Sequence, residues 1–179
     1  MSSGGEIGRR VLTFYLVRLV TLAMIFGGAS FLDEILHLTI FVYPETVLLG
    51  VALIASTKIV DYRCVKAFSA KGQGTFWYAN APRKLVDEGP YGKVRNPLYL
   101  TLFLDTIALF LVFGSLSYPV LLAIPALCIH FIVVAREEPS LEGKFGLAYL
   151  KYKKEVPRWI PRFFARTRAF GERSQEQPG

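Results

Sequence analysis

Cysteine and histidine are scarce in this chain, which has two of each among its 179 residues. Cys64, in a basic segment, and Cys128, in an apolar run, do not make a disulfide framework, and we expect both to be free thiols. His37 and His130 are far apart, and no pair of Cys or His residues has metal-ligand spacing. The sequence therefore predicts no zinc or transition-metal site.

The common nucleotide and nucleophile motifs are also missing. Gly72-Gln73-Gly74 lacks the third glycine, the preceding strand and the following helix of a dinucleotide fingerprint. Neither a Walker sequence nor a G-x-S-x-G elbow occurs. These absences exclude the motif-defined nucleotide-binding and hydrolase sites of soluble enzymes.

Charged residues make up only 20% of the chain, and hydrophobic residues make up 53%, against about 45 to 50% in a typical soluble protein. This composition excludes disorder and argues against a soluble enzyme. The excess of 21 Lys and Arg over 14 Asp and Glu is segregated from long apolar runs, so we expect it to face a membrane surface. For the basic tail, contact with anionic lipid is favoured over nucleic acid, and we predict no nucleic-acid partner.

Four apolar runs are candidates for transmembrane helices, because a hydrocarbon core of ~30 Å needs ~20 apolar helical residues. They cover residues 11–32, 39–60, 98–113 and 117–135. Pro44 interrupts the second run but suits a first helical turn. That span therefore begins either near residue 39 or at Pro44, with residues 35–43 in the membrane interface.

The distribution of Lys and Arg orients these spans. Residues 1–10 hold two, residues 61–97 hold seven and residues 136–179 hold ten, whereas the two remaining loops hold none. By the positive-inside rule, both termini, the loop 61–97 and the tail 136–179 face the cytoplasm. We therefore predict an all-α, multi-pass membrane protein with four transmembrane helices in a single domain, whose chemistry lies in that loop and tail.

Polar residues also occur inside the predicted spans. Arg18, Asp105 and His130 all lie ~9 to 10 Å from the cytoplasmic edge at ~1.5 Å per residue, so we expect them to cluster. A mutually neutralising Arg18–Asp105 pair explains two of them structurally, whereas the functional hypothesis is that Asp105 or His130 receives the proton or polar head of an acceptor. Lys58, near a span end, is expected to snorkel to water.

The segment of residues 83–99 leads directly into the third span. Gly89-Pro90 predicts a turn, and Asn96 and Pro97 suit the N-cap and first position of a helix. One interpretation is simply a well-capped helix start. The other is that the free N–H groups and positive dipole end of this helix bind a ligand carboxylate.

A second dense segment, residues 136–152, follows the fourth span. Glu137 and Glu138 at a helix C-terminus would oppose the macrodipole, and Pro139 disfavours helical geometry at Glu138. Either Arg136 or the basic tail neutralises these carboxylates, or they accept hydrogen bonds from a ligand. Helical spacing predicts an amphipathic helix on the membrane surface, with an apolar face formed by Leu141, Phe145, Tyr149 and Tyr152.

Together these segments resemble the isoprenylcysteine carboxyl methyltransferase and phospholipid methyltransferase family of integral membrane enzymes. The first matching pattern is Leu85-Val86-x-x-Gly89-Pro90-Tyr91-x-x-Val94-Arg95-Asn96-Pro97-x-Tyr99. The second is Glu137-Glu138-Pro139 followed by Phe145-Gly146-x-x-Tyr149-x-x-Tyr152-x-x-x-Val156-Pro157-Arg158. The resemblance covers roughly residues 83–162 and does not include the first two spans.

The resemblance implies S-adenosylmethionine as methyl donor, bound outside any Rossmann fold between the start of the third span and the tail. The turn of residues 96–99 would hold its amino-acid end, and Glu137, supported by Glu138, would accept hydrogen bonds from it. The cofactor-binding candidates are Lys84, Leu85, Val86, Gly89, Tyr91, Arg95, Asn96, Pro97, Leu98, Tyr99, Glu137 and Glu138. The catalytic candidates are Asp105, His130 and Arg136.

Two residues depart from the family pattern. Asn96 stands where many members carry His, which excludes a histidine proton relay at that position. Thr101 stands where a glycine is common, and we expect it to narrow the neighbouring groove.

A sulfonium methyl group is already activated, so such a site mainly aligns the acceptor and excludes water. We expect a lipid-like or prenylated acceptor. A prenyl-cysteine carboxylate, which needs no base, and a phosphatidylethanolamine-type amine, which must lose a proton, both remain open. The rival hypotheses are a sterol-reductase-type membrane enzyme with a nicotinamide cofactor and a scaffold whose basic tail binds anionic lipid.

Overall fold

The computed structural model describes residues 3–40, 43–72 and 84–161, and every regular element in these ranges is helical. The α-helices are α1 (Ser3–Leu36), α2 (Pro44–Ala67), α3 (Pro97–Phe113), α4 (Ser117–Ile132), α5 (Glu138–Phe145) and α6 (Leu147–Glu155). Extended pairing within the described ranges is limited to one isolated antiparallel bridge, Thr39 to Ser115. The all-α class is therefore confirmed.

Two described stretches are long and apolar enough to cross a membrane, namely Leu12–Leu36 and Ser117–Phe145. Both leave most of their apolar side chains exposed, as lipid-facing helices do; Met24 and Ile124, for example, are each 73% exposed. α3 is equally apolar but has only 17 residues, which is short of the ~20 that span a bilayer straight. α2 carries several charged residues and packs antiparallel against α3.

The start of α2 resolves one boundary that the sequence left open. The helix begins at Pro44, where a missing backbone N–H removes no helical hydrogen bond. At its other end α2 continues to Ala67, so the predicted loop does not start at residue 61. Asp61 lies inside the helix and is fully buried.

The helix at the fourth predicted span does not end at residue 135. It continues through a π-helical turn, Val133–Glu137, into α5, and Glu138 has helical dihedrals of φ −61° and ψ −46°. The expectation that Pro139 forces Glu138 out of helical geometry is therefore wrong. The wider π turn shifts the backbone hydrogen bonds just before the proline, which relieves the clash that a proline ring makes in a regular helix.

A sharp turn at Gly146 separates α5 from α6. Its φ of +54° with ψ of −130° is a conformation that glycine adopts readily. The turn lets α6 fold back, so that a small core forms from Tyr149, Tyr152 and Val156 with Leu85, Leu141 and Phe145. The prediction of a single helix is therefore wrong, because the Gly146 turn divides it into α5 and α6, although the four predicted apolar residues do pack together.

At the turn between α3 and α4, one carboxylate joins these helices to α1. Asp33, near the end of α1, accepts hydrogen bonds from the hydroxyls of Ser115 at 2.5 Å and Ser117 at 2.7 Å. Backbone bonds from Ile40 N to Gly114 O and from Leu116 N to Leu38 O lie beside it. These contacts fasten the end of α1 to the turn between α3 and α4.

α2 and α3 approach most closely at Gly50. A Cβ placed there would lie 2.8 Å from the backbone oxygen of Ala108 and 2.7 Å from a methyl group of Val112. A backbone oxygen has little freedom to move, so this contact depends on the missing side chain.

We expect Gly50→Ala to lower the unfolding free energy by about 1 to 3 kcal/mol through overpacking. Denaturant-dependent loss of helical circular dichroism in detergent measures this change. Gly27→Ala is the matched control, since nothing lies within 4 Å of its new Cβ. Equal stability of the two variants would show that α2 and α3 are not in close contact at Gly50.

Candidate functional site

Two cationic and two anionic side chains meet between α1, α2 and α3. We call these residues, Arg18, Lys58, Asp61 and Asp105, the ion cluster. Arg18 donates to Asp105 Oδ2 from Nε at 3.2 Å and from Nη2 at 2.9 Å. Lys58 Nζ lies 2.9 Å from Asp61 Oδ2 and 2.8 Å from Asp105 Oδ2. The two cations and two anions cancel, so the cluster carries no formal charge.

Two threonines complete the hydrogen bonding of the aspartates. Thr57 donates to Asp105 Oδ1, and Thr101 donates to Asp61 Oδ1 at 2.5 Å. Both aspartates are at most 1% exposed, and buried carboxylates are tolerated only when paired in this way. The expectation that Lys58 snorkels to water is therefore wrong. Thr101, which we expected to narrow a groove, contributes its hydroxyl to the ion cluster's bonding, and the narrowing itself stays a prediction.

The predicted cluster of Arg18, Asp105 and His130 forms only in part. Arg18 and Asp105 pair, as the structural explanation required, but His130 lies elsewhere. Its Nδ1 accepts a hydrogen bond from Trp159 Nε1 at 3.1 Å, and the two rings are in contact. Trp159 also packs against Tyr99 and Phe103.

A second cluster surrounds Glu138, which is 3% exposed. Arg158 donates to its two oxygens at 2.6 and 2.9 Å, and Arg95 Nη1 lies 2.8 Å from Oε1. Lys153 Nζ is 3.2 Å from Oε2 and also binds Glu142. The loop and tail therefore neutralise Glu138, as one sequence interpretation proposed, whereas Arg136 is exposed and pairs with neither glutamate within the described residues.

Backbone and phenol contacts add to this junction. Arg95 N donates to Pro157 O at 2.9 Å, and the Tyr152 hydroxyl donates to Tyr91 O at 2.8 Å. Burial raises the pKa of Tyr91 well above its usual value and raises the pKa of Tyr149 to about 12, so both phenols stay protonated. Hydrogen bonds to Glu142 and Glu138 raise the pKa of Lys153, which remains a cation.

The first turn of α3 has Asn96 at the N-cap position and Pro97 at the first helical position, as predicted. The Asn96 side chain does not cap the helix, however; its Nδ2 donates to Arg158 O at 3.4 Å. The N–H groups of Leu98 and Tyr99 thus have no side-chain cap, and they carry the positive end of the helix dipole.

A cavity of about 220 Å³ lies at this helix start, several times the roughly 30 Å³ that one water occupies in the liquid. Residues from α1, α3, the loop and the end of the π turn enclose it. They are Phe14, Val17, Arg18, Thr21, Phe68, Tyr91, Arg95, Asn96, Pro97, Leu98, Tyr99, Leu102 and Glu137. The apolar part of the lining comes mainly from α1 and α3, and the polar part from the loop, the α3 start and Glu137.

Two polar groups in the cavity wall have incomplete hydrogen bonding. Within the described residues, the side chain of Glu137 accepts a hydrogen bond from the Tyr99 hydroxyl, at a long 3.4 Å to Oε2. Arg95 Nε is buried and has no acceptor within the described residues. Glu137 is therefore open to a ligand in the cavity, whereas Arg95 is held by Glu138 and its Nε is inaccessible.

The cavity brings together seven of the predicted cofactor-binding residues: Tyr91, Arg95, Asn96, Pro97, Leu98, Tyr99 and Glu137. It does not include five others, namely Lys84, Leu85, Val86, Gly89 and Glu138. Leu85 packs against the Tyr149 core, and Glu138 supports the wall from behind. None of the predicted catalytic residues, Asp105, His130 and Arg136, lines the cavity.

Sequence reasoning missed the contribution of α1 to this cavity. Arg18 was the available signal, because an arginine inside an apolar run needs a polar partner. The role of Lys58 and Asp61 was missed because both lie at the predicted span end. The contact of Trp159 with His130 depends on the path of the tail, which no residue spacing reveals.

These features define a helical membrane protein with a ligand-sized cavity beside a charge-neutralised helix junction. Comparison with known proteins narrows the class: the model of the phospholipid methyltransferase family matches residues 46–148, more than half of the chain. The chain belongs to that family. It is also similar to an uncharacterized protein of Haemophilus influenzae, with 40% identity over 63 residues, which are 35% of this chain and the whole of that protein.

The family resemblance expected from the two motifs is thus confirmed, and with it membership of a methyltransferase family. The match includes the start of α3 and the adjacent glutamates. It does not include α1, which contains Arg18, or the residues after 148, which contain Trp159.

We expect Glu138→Gln to loosen the tail, because it leaves the largely buried Arg95 and the partly exposed Arg158 without their charged partner. In a Trp77→Phe background, which leaves Trp159 as the sole tryptophan, its emission should shift to longer wavelength. The unfolding free energy should fall by about 3 kcal/mol.

Glu142→Gln is the control for this change, since Glu142 shares Lys153 with Glu138, whereas the two arginines pair with Glu138. We expect it to leave Trp159 emission unchanged. Similar spectra for the two variants would contradict a specific role of Glu138 in holding the tail.

Proposed function

We propose that this protein transfers a methyl group from S-adenosylmethionine to a lipid-like or prenylated acceptor in the cavity at the start of α3. One observation carries the proposal: a single cavity combines the loop, the α3 start and Glu137 with an apolar wall from α1 and α3. A polar methyl donor needs polar contacts and a hydrophobic acceptor needs apolar surface, and the two surfaces must meet in one cavity.

The residues present fit the amino-acid end of S-adenosylmethionine. A carboxylate suits the uncapped N–H groups of Leu98 and Tyr99, with the cationic side chain of Arg95 also in the cavity wall. An ammonium group suits the Glu137 carboxylate, whose existing bond to Tyr99 is long. The Glu138 cluster holds Arg95 behind this wall, and the bond from Asn96 Nδ2 to Arg158 O ties the α3 start to the tail.

The donor, when bound, supplies an activated methyl group, and the task left to the protein is alignment and exclusion of water. Phe14, Val17 and Leu102 provide apolar surface for the acceptor chain. Glu137 is the one carboxylate among the described cavity-lining residues, and the donor's ammonium group would occupy it, so the described lining offers no free carboxylate as a base for an amine acceptor. Asp105 is not suited to this role either, because the ion cluster occupies both of its oxygens.

We further propose that α2 and α3 cross the bilayer together with the two longer spans, giving four spans with both termini in the cytoplasm. The absence of Lys and Arg from the two short connections supports this orientation. It places the cavity and the Glu138 cluster at the cytoplasmic face, where a water-soluble donor has access.

Removal of the proposed Glu137 contact, or of the Asn96 bond that ties the start of α3 to the tail, should weaken donor binding. We expect Asn96→Ala and Glu137→Ala each to reduce S-adenosylmethionine affinity by about 1 to 3 kcal/mol, as the loss of a hydrogen-bond partner does. Isothermal titration of detergent-solubilised protein measures this. Glu142→Ala, outside the cavity, serves as control, and undiminished affinity in both site variants would show that the donor binds elsewhere.

The acceptor is identified by incubating the protein with labelled S-adenosylmethionine and a total lipid extract. Parallel reactions contain dioleoylphosphatidylethanolamine or farnesyl-cysteine. The family's name favours a labelled phospholipid, whereas a labelled farnesyl-cysteine ester would assign a carboxylate acceptor. Binding of a nicotinamide cofactor without methyl transfer would favour a reductase instead.

A further inference from the structure

α1 contributes four residues to the cavity although it lies outside the residues that match the methyltransferase family. Three of them, Phe14, Val17 and Thr21, present a face of α1 to the cavity. The fourth is Arg18, which is 7% exposed and reaches out of α1 to the neighbouring helix. The α1 wall therefore comes from a part of the chain that the family match does not include.

Arg18 spans two turns of α3. Nη1 donates to Leu98 O at 3.1 Å, Nη2 donates to the Thr101 hydroxyl at 3.1 Å, and Nε and Nη2 reach Asp105. Leu98 lines the cavity, so one guanidinium joins the α1 wall to the α3 wall.

α1 has few other polar attachments among the described residues. The hydroxyls of Thr13, Thr21 and Ser30 all bond to the backbone of α1 itself. Asp33 fastens the far end of the helix to Ser115 and Ser117. α3, in contrast, packs closely along α2 and shares the Thr57–Asp105 and Asp61–Thr101 bonds with it. Loss of Arg18 would therefore move α1 rather than α3.

We propose that Arg18 is a positioning residue for the acceptor: it fixes the α1 wall against the first two turns of α3 and so sets the width of the apolar half of the cavity. This inference rests on the proposed function. It predicts that Arg18 governs how well the acceptor binds, while donor binding depends on the α3 start and Glu137.

The test compares two double variants that keep the ion cluster neutral. Arg18→Met/Asp61→Asn removes Arg18 and leaves the Lys58–Asp105 pair. Lys58→Met/Asp61→Asn removes the other cation and leaves the Arg18–Asp105 pair. Both lose one cation and the same anion, so a purely structural role of the cluster predicts similar effects in the two proteins.

The first readout is kinetic, with dioleoylphosphatidylethanolamine or farnesyl-cysteine as acceptor, whichever the parent protein methylates. We expect the Arg18 variant to raise the acceptor KM by about tenfold, with kcat and the S-adenosylmethionine Kd unchanged. The Lys58 variant should keep the parental KM. An equal rise of KM in both variants would overturn the proposal.

The second readout needs no acceptor. Spin labels at exposed positions 12 and 62, as Leu12→Cys and Tyr62→Cys in a Cys128→Ser background, report the distance from α1 to α2, while native Cys64 stays buried. We expect a broader distance distribution or a longer mean distance in the Arg18 variant only. An unchanged distribution refutes the proposal whatever the activity, whereas failure of the parent to bind S-adenosylmethionine refutes the proposed function instead.

Discussion

Buried charge is the constraint on which this structure depends. An unpaired carboxylate or guanidinium among apolar helices costs several kcal/mol, and its removal from water is compensated only by good geometry and additional hydrogen bonds. The pairs Thr57–Asp105 and Asp61–Thr101 meet this requirement with the same four-residue spacing on α2 and α3. A one-turn slip between the helices would leave carboxylates unpaired, so these contacts define the register of the helix pair that carries the cavity. Gly50 then permits the close approach that this register demands.

The same principle organises the other side of the cavity. Glu138 gathers Arg95 from the loop with Lys153 and Arg158 from the tail, and Arg95 is distant in sequence from the other three residues. Their attraction to one buried carboxylate brings the tail over the start of α3, where Trp159 reaches His130 and Tyr99. The cavity is thus bounded by two charge-neutralised junctions, one between α1, α2 and α3 and one at the loop and tail.

The sequence was informative wherever a local signal determines local structure. Pro44 and Pro97 predicted where two helices begin, and the apolar runs predicted the all-helical class. The two motifs predicted seven of the residues around the cavity. Prediction failed where distant contacts decide the outcome. Gly146 is a single residue within a periodic apolar pattern, yet its backbone turn reverses the face that Tyr149 and Tyr152 present. Lys58 has the spacing of a snorkelling residue, and only the proximity of two aspartates from different helices turns it inward.

Glu137 and Glu138 are consecutive residues of one helical run, so their side chains leave the backbone about 100° apart. The first faces the cavity and the second faces the tail junction. Neither carboxylate can shift along or around the helix without carrying the other with it. The cavity wall and the tail junction therefore share one helical turn, so a shift of the backbone at that turn moves both.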